Sequence, residues 1–127
     1  MKELTKAEEQ AMKYLWKLKT AYLKDIVSAY PAPCPAYTTV STVVNVLVKK
    51  GFIGFETHGK SRAYHPLISQ ANYRKHAFGN MLNSFFNDSL SQFASFFTKE
   101  NDMDIKELEE MKKMIEARIK QQKEKES

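Results

Sequence analysis

Five polar side chains, Thr38, Thr39, Ser41, Thr42 and Asn45, crowd one short segment that is otherwise rich in valine. Their types suit base edges. Asn can pair bidentately with adenine, Ser and Thr hydroxyls bond several bases, and the Thr methyl can touch the thymine methyl. Lys49 and Lys50 follow directly, and Lys60, Ser61 and Arg62 come a little later. Such cations and hydroxyls can hold phosphates, which fixes a protein on a duplex without reading sequence. The polar segment carries no arginine, so strong guanine reading by it is not expected. Each residue taken singly has a blander reading. A Ser/Thr/Asn stripe can be a solvated helix face, and Lys49 and Lys50 can offset the negative end of a helix. The ordered set is harder to explain that way.

Other chemistry has little support. His58, His65 and His76 fall in no metal-binding or His-rich spacing, and no Walker or dinucleotide-binding glycine loop occurs. Cys34 is the single cysteine, which excludes an internal disulfide framework and a multi-cysteine zinc site. It sits among prolines with no activating neighbour and reads as an inert loop thiol. The acid pairs Glu8-Glu9 and Glu109-Glu110 read as solvated helix faces. No enzyme activity, cofactor or metal is expected.

Charge sharpens the first reading. The chain has 127 residues, 20 Lys+Arg and 15 Asp+Glu, for a net charge of +5. Residues 1–66 hold ten basic residues and five acids. Residues 67–127 hold ten of each. The whole excess therefore belongs to the first half, and no acid occurs between Asp25 and Glu56. A one-sided positive field suits a polyanion. The mean hydropathy of −0.53 fits a soluble globular chain. The longest apolar run, 43–48, is too short to span a bilayer. Met1-Lys2-Glu3-Leu4 lacks an apolar signal core, so a cytoplasmic location is expected.

Several elements must position these residues. Thr5-Lys6-Ala7-Glu8 has the spacing of a capping box, and Ala7, Ala11, Leu15 and Leu18 recur at helical spacing. A first helix is predicted over 6–17. Leu23, Ile26, Val27 and Tyr30 make the face of a second helix, over 23–30, which has no Ser or Thr cap at Tyr22. Pro31, Pro33 and Pro35 end it. Residues 36–50 are rich in β-branched side chains, which favours a strand. The pattern decides for a helix. Helical geometry puts Val40, Val43, Val44, Leu47 and Val48 on one face, opposite Thr38, Ser41, Thr42, Asn45 and Lys49, with only Val46 misplaced. Gly51 then serves as the helix-ending glycine. Segments 52–55 and 63–66 are predicted to form a β-hairpin with Lys60, Ser61 and Arg62 at its tip. The order is that of a helix-turn-helix with a wing, whose second helix enters the major groove.

Beyond Pro66 the chain turns helical again. Ser69 or Asn72 can start a helix, and Asn87-Asp88-Ser89 can break or bend it. Leu82, Phe85, Phe86, Leu90, Phe93, Phe96 and Phe97 keep an i, i+3/i+4 rhythm, followed by Leu108, Met111, Met114, Ile115 and Ile119. Five of the eight phenylalanines lie between 85 and 97. This surface can be a core beneath the winged domain or a homodimer interface. The second is preferred, because the first three helices already supply a core for the winged domain and a palindromic operator needs a two-fold dimer. The interface is expected to use Leu82, Phe85, Phe86, Leu90, Phe93, Phe97, Leu108, Met111 and Ile115.

The combination of Leu4-Thr5-Lys6-Ala7-Glu8, the Met12–Leu15–Trp16 cluster, Thr39-Val40-Ser41-Thr42, Leu47-Val48-Lys49-Lys50-Gly51 and Arg62-Ala63-Tyr64-His65-Pro66-Leu67 resembles the penicillinase repressor (BlaI/MecI) family of bacterial transcriptional regulators. The likeness runs over almost the whole chain. It implies a homodimeric repressor acting at inverted-repeat operators, which in the family are typically built on TACA/TGTA half-sites. It also implies control of β-lactamase or other resistance genes, relieved through a membrane sensor metallopeptidase and cleavage in the dimerisation region. The family's cleaved bond is typically Asn-Phe. The aligned pair here is Ser95-Phe96, which makes it the candidate proteolytic induction site with serine in place of asparagine. The cysteine-rich motif of the copper-sensing branch is absent, since no cysteine follows Cys34.

The expected architecture is mainly α with a small β-hairpin wing. It comprises a winged helix-turn-helix domain over 1–68, a helical dimerisation region over 69–122 and a disordered tail over 123–127. The expected partners are double-stranded DNA, a second copy of the chain and the sensor peptidase. The competing reading is a winged-helix adaptor that binds protein and not DNA.

Overall fold

The computed structural model describes residues 2–126. The elements run α1 (Lys6–Leu18), α2 (Leu23–Ala29), α3 (Tyr37–Lys49), β1 (Ile53–His58), β2 (Ser61–Pro66), α4 (Gln70–Phe86), α5 (Leu90–Glu100) and α6 (Ile105–Glu126). The chain forms two compact units, Met1–Phe78 and Gly79–Ser127.

In the first unit α1 opens on the predicted capping box. The Glu8 N–H donates to Thr5 Oγ1 at 3.2 Å, and the Thr5 N–H donates to Glu8 Oε1 at 2.8 Å. Such a box satisfies two backbone donors that a helix start leaves without partners. At α2 the Tyr22 position lacks a capping side chain, but Asp25 Oδ2 accepts from the Tyr22 N–H at 3.1 Å and supplies half of a box. α3 starts after Ala36 with no side-chain cap. It ends at Lys50, followed by Gly51 at φ +83°, a region costly for any residue with a Cβ.

α3 is helical despite its β-branched residues, because helical spacing buries Val40, Val44 and Leu47 together. They pack with Met12 and Leu15 of α1, Ile26 of α2, and Phe52 and Ile53 at the base of the hairpin. Burying each such side chain is worth about 1.5–3 kcal/mol, well above the few tenths by which valine trails leucine as a helix former. Val46, off the predicted face, is half-buried.

β1 and β2 pair antiparallel from Ile53↔Pro66 to His58↔Ser61. The strands are longer and the turn shorter than the sequence suggests. Only Gly59 and Lys60 lie in the turn, Gly59 with φ +64°. Ser61 and Arg62, expected at the wing tip, are therefore strand residues, with Arg62 opposite Thr57. The two-residue turn at Gly59 and Lys60 closes the hairpin directly after His58, so the ladder includes both of them. An isolated bridge ties the hairpin to the segment before α2. Ala21 and Tyr64 exchange both backbone hydrogen bonds, at 3.0 and 2.8 Å.

The first unit extends beyond the expected boundary at residue 68. The Trp16 indole N–H donates to the Ile68 carbonyl at 2.8 Å, and the Tyr73 hydroxyl donates to Glu9 Oε2 at 2.6 Å. Tyr73 also packs against Trp16 and Phe52. Burial, then the hydrogen bond to Glu9 and the negative charge of Glu9, push the Tyr73 phenol up to about 12. Ser69 caps α4, accepting from the Asn72 N–H.

In the second unit Asn87 and Asp88 take positive φ and end α4, as their types suggest. Ser89 caps α5 and Asp104 caps α6. The rings of Phe86, Phe93, Phe96 and Phe97 form one aromatic cluster, with centroids 5.5–5.6 Å apart. The tail departs from expectation. Residues 123–126 continue α6, in register with its exposed Lys/Glu face, and Ser127 lies outside the described residues.

Glu8 is the buried charged residue of the first unit, 6% exposed, and meets Lys50 Nζ at 2.7 Å. Burial opposes its ionisation, but the hydrogen bonds and charge of Lys50 and the Thr5 N–H outweigh it and hold the carboxyl below its ordinary value of 4.5. A depressed carboxylate contributes stability above its unfolded pKa and loses it as pH falls through the folded one. Thermal melting of the wild type should therefore weaken as pH drops below about 4.5. Glu8→Gln should lower stability by about 1 kcal/mol at pH 7 and flatten that acid slope. An unchanged slope in the variant would show that the pair contributes nothing.

Candidate nucleic-acid interface

α3 turns its buried stripe to the core, so its remaining side chains face outward in rows. Tyr37, Ser41 and Asn45 stand four residues apart and form one row. All three line a cleft of about 490 Å3 between α3 and the hairpin. The facing wall is the wing, through His58, Lys60, Ser61 and Arg62, and the floor is Tyr64. The start of α2 closes one end with Tyr22, Leu23 and Lys24. Three elements thus converge, held by the α2–α3 packing on one side and the Ala21–Tyr64 rung on the other.

The cleft is electrostatically one-sided. Its charged lining groups are Lys24, Lys60 and Arg62, and no carboxylate lines it. Asp25 and Glu56 line a separate cleft on the far side of Tyr22 and His58. Alternation along β1 puts Glu56 on the face opposite Phe55 and Thr57. Arg62 lies over the Phe55 ring, with its guanidinium carbon 4.2 Å from the centroid. Cations over low-dielectric walls focus a positive potential that draws anions.

The structure brings together some of the predicted residues and separates others. Ser41 and Asn45 share the cleft with Lys60, Ser61 and Arg62. Thr38, Thr42 and Lys49 are exposed along the neighbouring row of α3. The Thr42 hydroxyl donates back to the Thr38 carbonyl at 3.0 Å. Thr39 is exposed but points elsewhere. With Val40 and Val43 it lines a groove of about 310 Å3 against Pro31, Pro33 and Pro35. Lys50, expected on phosphate, is turned to the opposite side. It hydrogen-bonds both Glu8 carboxylate oxygens and the Glu3 carbonyl, so it serves the fold. Ser95 and Phe96 lie in the middle of α5, exposed, with the Phe96 ring against Phe86.

Sequence reasoning missed Lys24, Tyr22, Tyr37 and His58. Tyr37 was within reach, because Tyr37, Ser41 and Asn45 repeat at i, i+4, i+8. Lys24 was legible only as a cation on α2, since its nearness to Lys60 and Arg62 needs the folded hairpin. Among the described residues no cluster of three or more His, Cys, Asp or Glu could hold a metal. No described helix is long and apolar enough to cross a membrane.

Three helices, an antiparallel hairpin and a polar helix face beside it define a winged helix-turn-helix domain, here followed by helices with little core of their own. Comparison with known proteins makes the assignment specific. The sequence pattern of the family described as Penicillinase repressor matches residues 4–117, and the chain belongs to that family. It is 23% identical over 123 residues to the penicillinase repressor of Bacillus licheniformis, covering 96% of each chain. It is 23% identical over 114 residues to the methicillin resistance regulatory protein MecI of Staphylococcus aureus strain N315, covering 89% of this chain and 93% of the relative. The solution structure of the DNA-binding domain of the repressor BlaI superposes with a TM-score of 0.50 at 25% identity. That match covers 57% of this chain and 94% of the domain.

The two lysines differ in role, and the difference is measurable. In titrations with duplex DNA over a range of salt, Lys60→Ala should weaken binding to all sequences and reduce the salt slope by about one. Lys50→Ala should lower the melting temperature and leave the slope as in the wild type. A slope lowered equally in both variants would put both lysines on phosphate.

Proposed function

We propose that the chain is a homodimeric, sequence-specific DNA-binding transcriptional repressor. The single observation that carries the DNA reading is the cleft, where Ser41 and Asn45 of α3 stand beside Lys24, Lys60 and Arg62 with no acid between them. In this reading α3 lies in the major groove. Asn45, Ser41, Thr42 and Thr38 meet base edges, while the wing and Lys24 hold phosphates. The relatives named as a penicillinase repressor and as a methicillin resistance regulator support repression of resistance genes. An adaptor that binds only protein would show no salt-dependent affinity for any duplex, and the acid-free cationic cleft favours the DNA reading.

The dimer reading rests on exposed apolar surface in the second unit. No residue of α5 or α6 is buried. Phe85 is 77% exposed, Leu90 62% and Ile115 54%. Met111 is half-buried and Leu108 exposed on the same stripe of α6. Apolar surface of this extent marks an interface, and two copies would place two copies of α3 on an inverted repeat. Joining two weak half-site contacts raises affinity through effective concentration, and loss of the dimer removes that gain. Relief through a sensor metallopeptidase at Ser95-Phe96 fits this logic. That bond lies within a helix, so cleavage requires α5 to unwind locally.

Selection of duplexes from a random pool by the full chain should yield an inverted repeat. Against that duplex, Asn45→Ala or Thr42→Ala should each cost about 1–3 kcal/mol and relax preference at one position. Binding equal to wild type on matched and mismatched duplexes would remove α3 from the reading role. Sedimentation should find a dimer that Ile115→Asp converts to monomer, and a dimer unaffected by that charge would place the interface elsewhere.

A further inference from the structure

We propose that Phe55 is a positioning residue for DNA. Its ring holds the Arg62 guanidinium in the cleft between α3 and the hairpin, where that guanidinium takes a phosphodiester of the duplex in a two-pronged contact. The inference rests on the DNA-binding reading above and assigns a role to a residue that neither base contact nor phosphate charge would single out.

The geometry begins with Phe55 itself. It is a large apolar side chain, 36% exposed, on a two-stranded hairpin, and it does not belong to the buried core cluster. In the strand register it stands opposite Tyr64, and Arg62 stands opposite Thr57, so Phe55 and Arg62 are diagonal neighbours on one face. The Arg62 guanidinium carbon lies 4.2 Å from the Phe55 ring centroid. The Phe55 ring in turn meets the Tyr64 ring edge-on, with centroids 5.9 Å apart. Tyr64 is buried, and its backbone is tied to Ala21 by the two reciprocal hydrogen bonds. A line of support therefore runs from the Ala21–Tyr64 rung through two rings to the guanidinium.

The chemistry explains why a ring is suited to this place. A guanidinium stacked on a ring face keeps its in-plane N–H donors free, and those donors match two oxygens of one phosphate. A carboxylate partner would occupy the same donors and cancel the charge. No ion pair engages Arg62 among the described residues, and the cleft it faces contains no acid. Held this way, the long side chain loses less rotamer freedom when phosphate arrives.

The test is a double-mutant cycle on the full chain. The probe is a duplex selected from a random pool by the wild type, and affinity is read by fluorescence anisotropy at several salt concentrations, with a melting temperature for every variant. Phe55→Leu should weaken binding about two- to fivefold, and Phe55→Trp should bind as the wild type does. Arg62→Ala should weaken binding and lower the salt slope by about one, and adding Phe55→Leu to it should cost nothing further. Arg62→Lys, which keeps the charge and loses the planar stack, should keep the slope but bind as weakly as Phe55→Leu. An equal penalty for Phe55→Leu with and without Arg62, or an Arg62→Lys chain that binds like wild type, would overturn the proposal. A wild-type chain that selects no duplex would instead overturn the DNA-binding reading, a result read before the cycle begins.

Discussion

The burial of one face of α3 is the constraint on which the rest of the first unit depends. Val40, Val44 and Leu47 are almost fully removed from solvent against α1, α2 and the base of the hairpin. A helix has one rotational setting that buries those three positions at once. That setting sends Tyr37, Ser41 and Asn45 outward along one row and Thr38, Thr42 and Lys49 along the next. A change in the core face of α3 would therefore rotate or loosen the polar face as well, and the two faces cannot be tuned independently.

The second constraint is the backbone rung between Ala21 and Tyr64. A two-stranded hairpin is marginal by itself. Here the connection between α1 and α2 supplies a short third strand position, and the wing is fixed against the same elements that seat α3. The distance between helix face and wing, which sets the width of the cleft, is thus a property of backbone pairing and core packing. Of the lining side chains, Leu23 and Tyr64 belong to that core, whereas Lys24, Ser41, Asn45, Lys60 and Arg62 lie outside it.

Charge is sorted by use. Lys50 neutralises Glu8 inside the fold, while Lys24, Lys60 and Arg62 line a cleft without a carboxylate, since Asp25 and Glu56 line a separate one. The second unit, with eight basic residues and ten acids, has no positive excess and carries its apolar side chains outward instead. Its aromatic cluster around Phe86 and Phe93 buries some ring surface, yet leaves the stripes of α5 and α6 in water. Homodimerisation would resolve that imbalance.

The order of elements, the capping box at Thr5 and Glu8, the helical state of residues 37–49 and the break at Asn87-Asp88 were all legible in the sequence. Each follows from local spacing, from the backbone preference of a residue type, or from a periodic stripe that fits only one secondary structure. The polar face of α3 was legible for the same reason. Other features were decided by the fold alone. Lys50 and Lys60 are the same residue type near a turn, and only the packing of α1 against α3 shows that one meets Glu8 and the other does not. Thr39 is adjacent to Thr38 in the chain, but a single helical step turns it toward the proline-rich turn. The strand residues Ser61 and Arg62 leave the wing tip because cross-strand pairing runs on to His58. Lys24 joins the cleft through contacts between segments far apart in sequence. Periodicity reports which face a residue occupies. What that face meets depends on long-range packing, and one-dimensional spacing does not contain it.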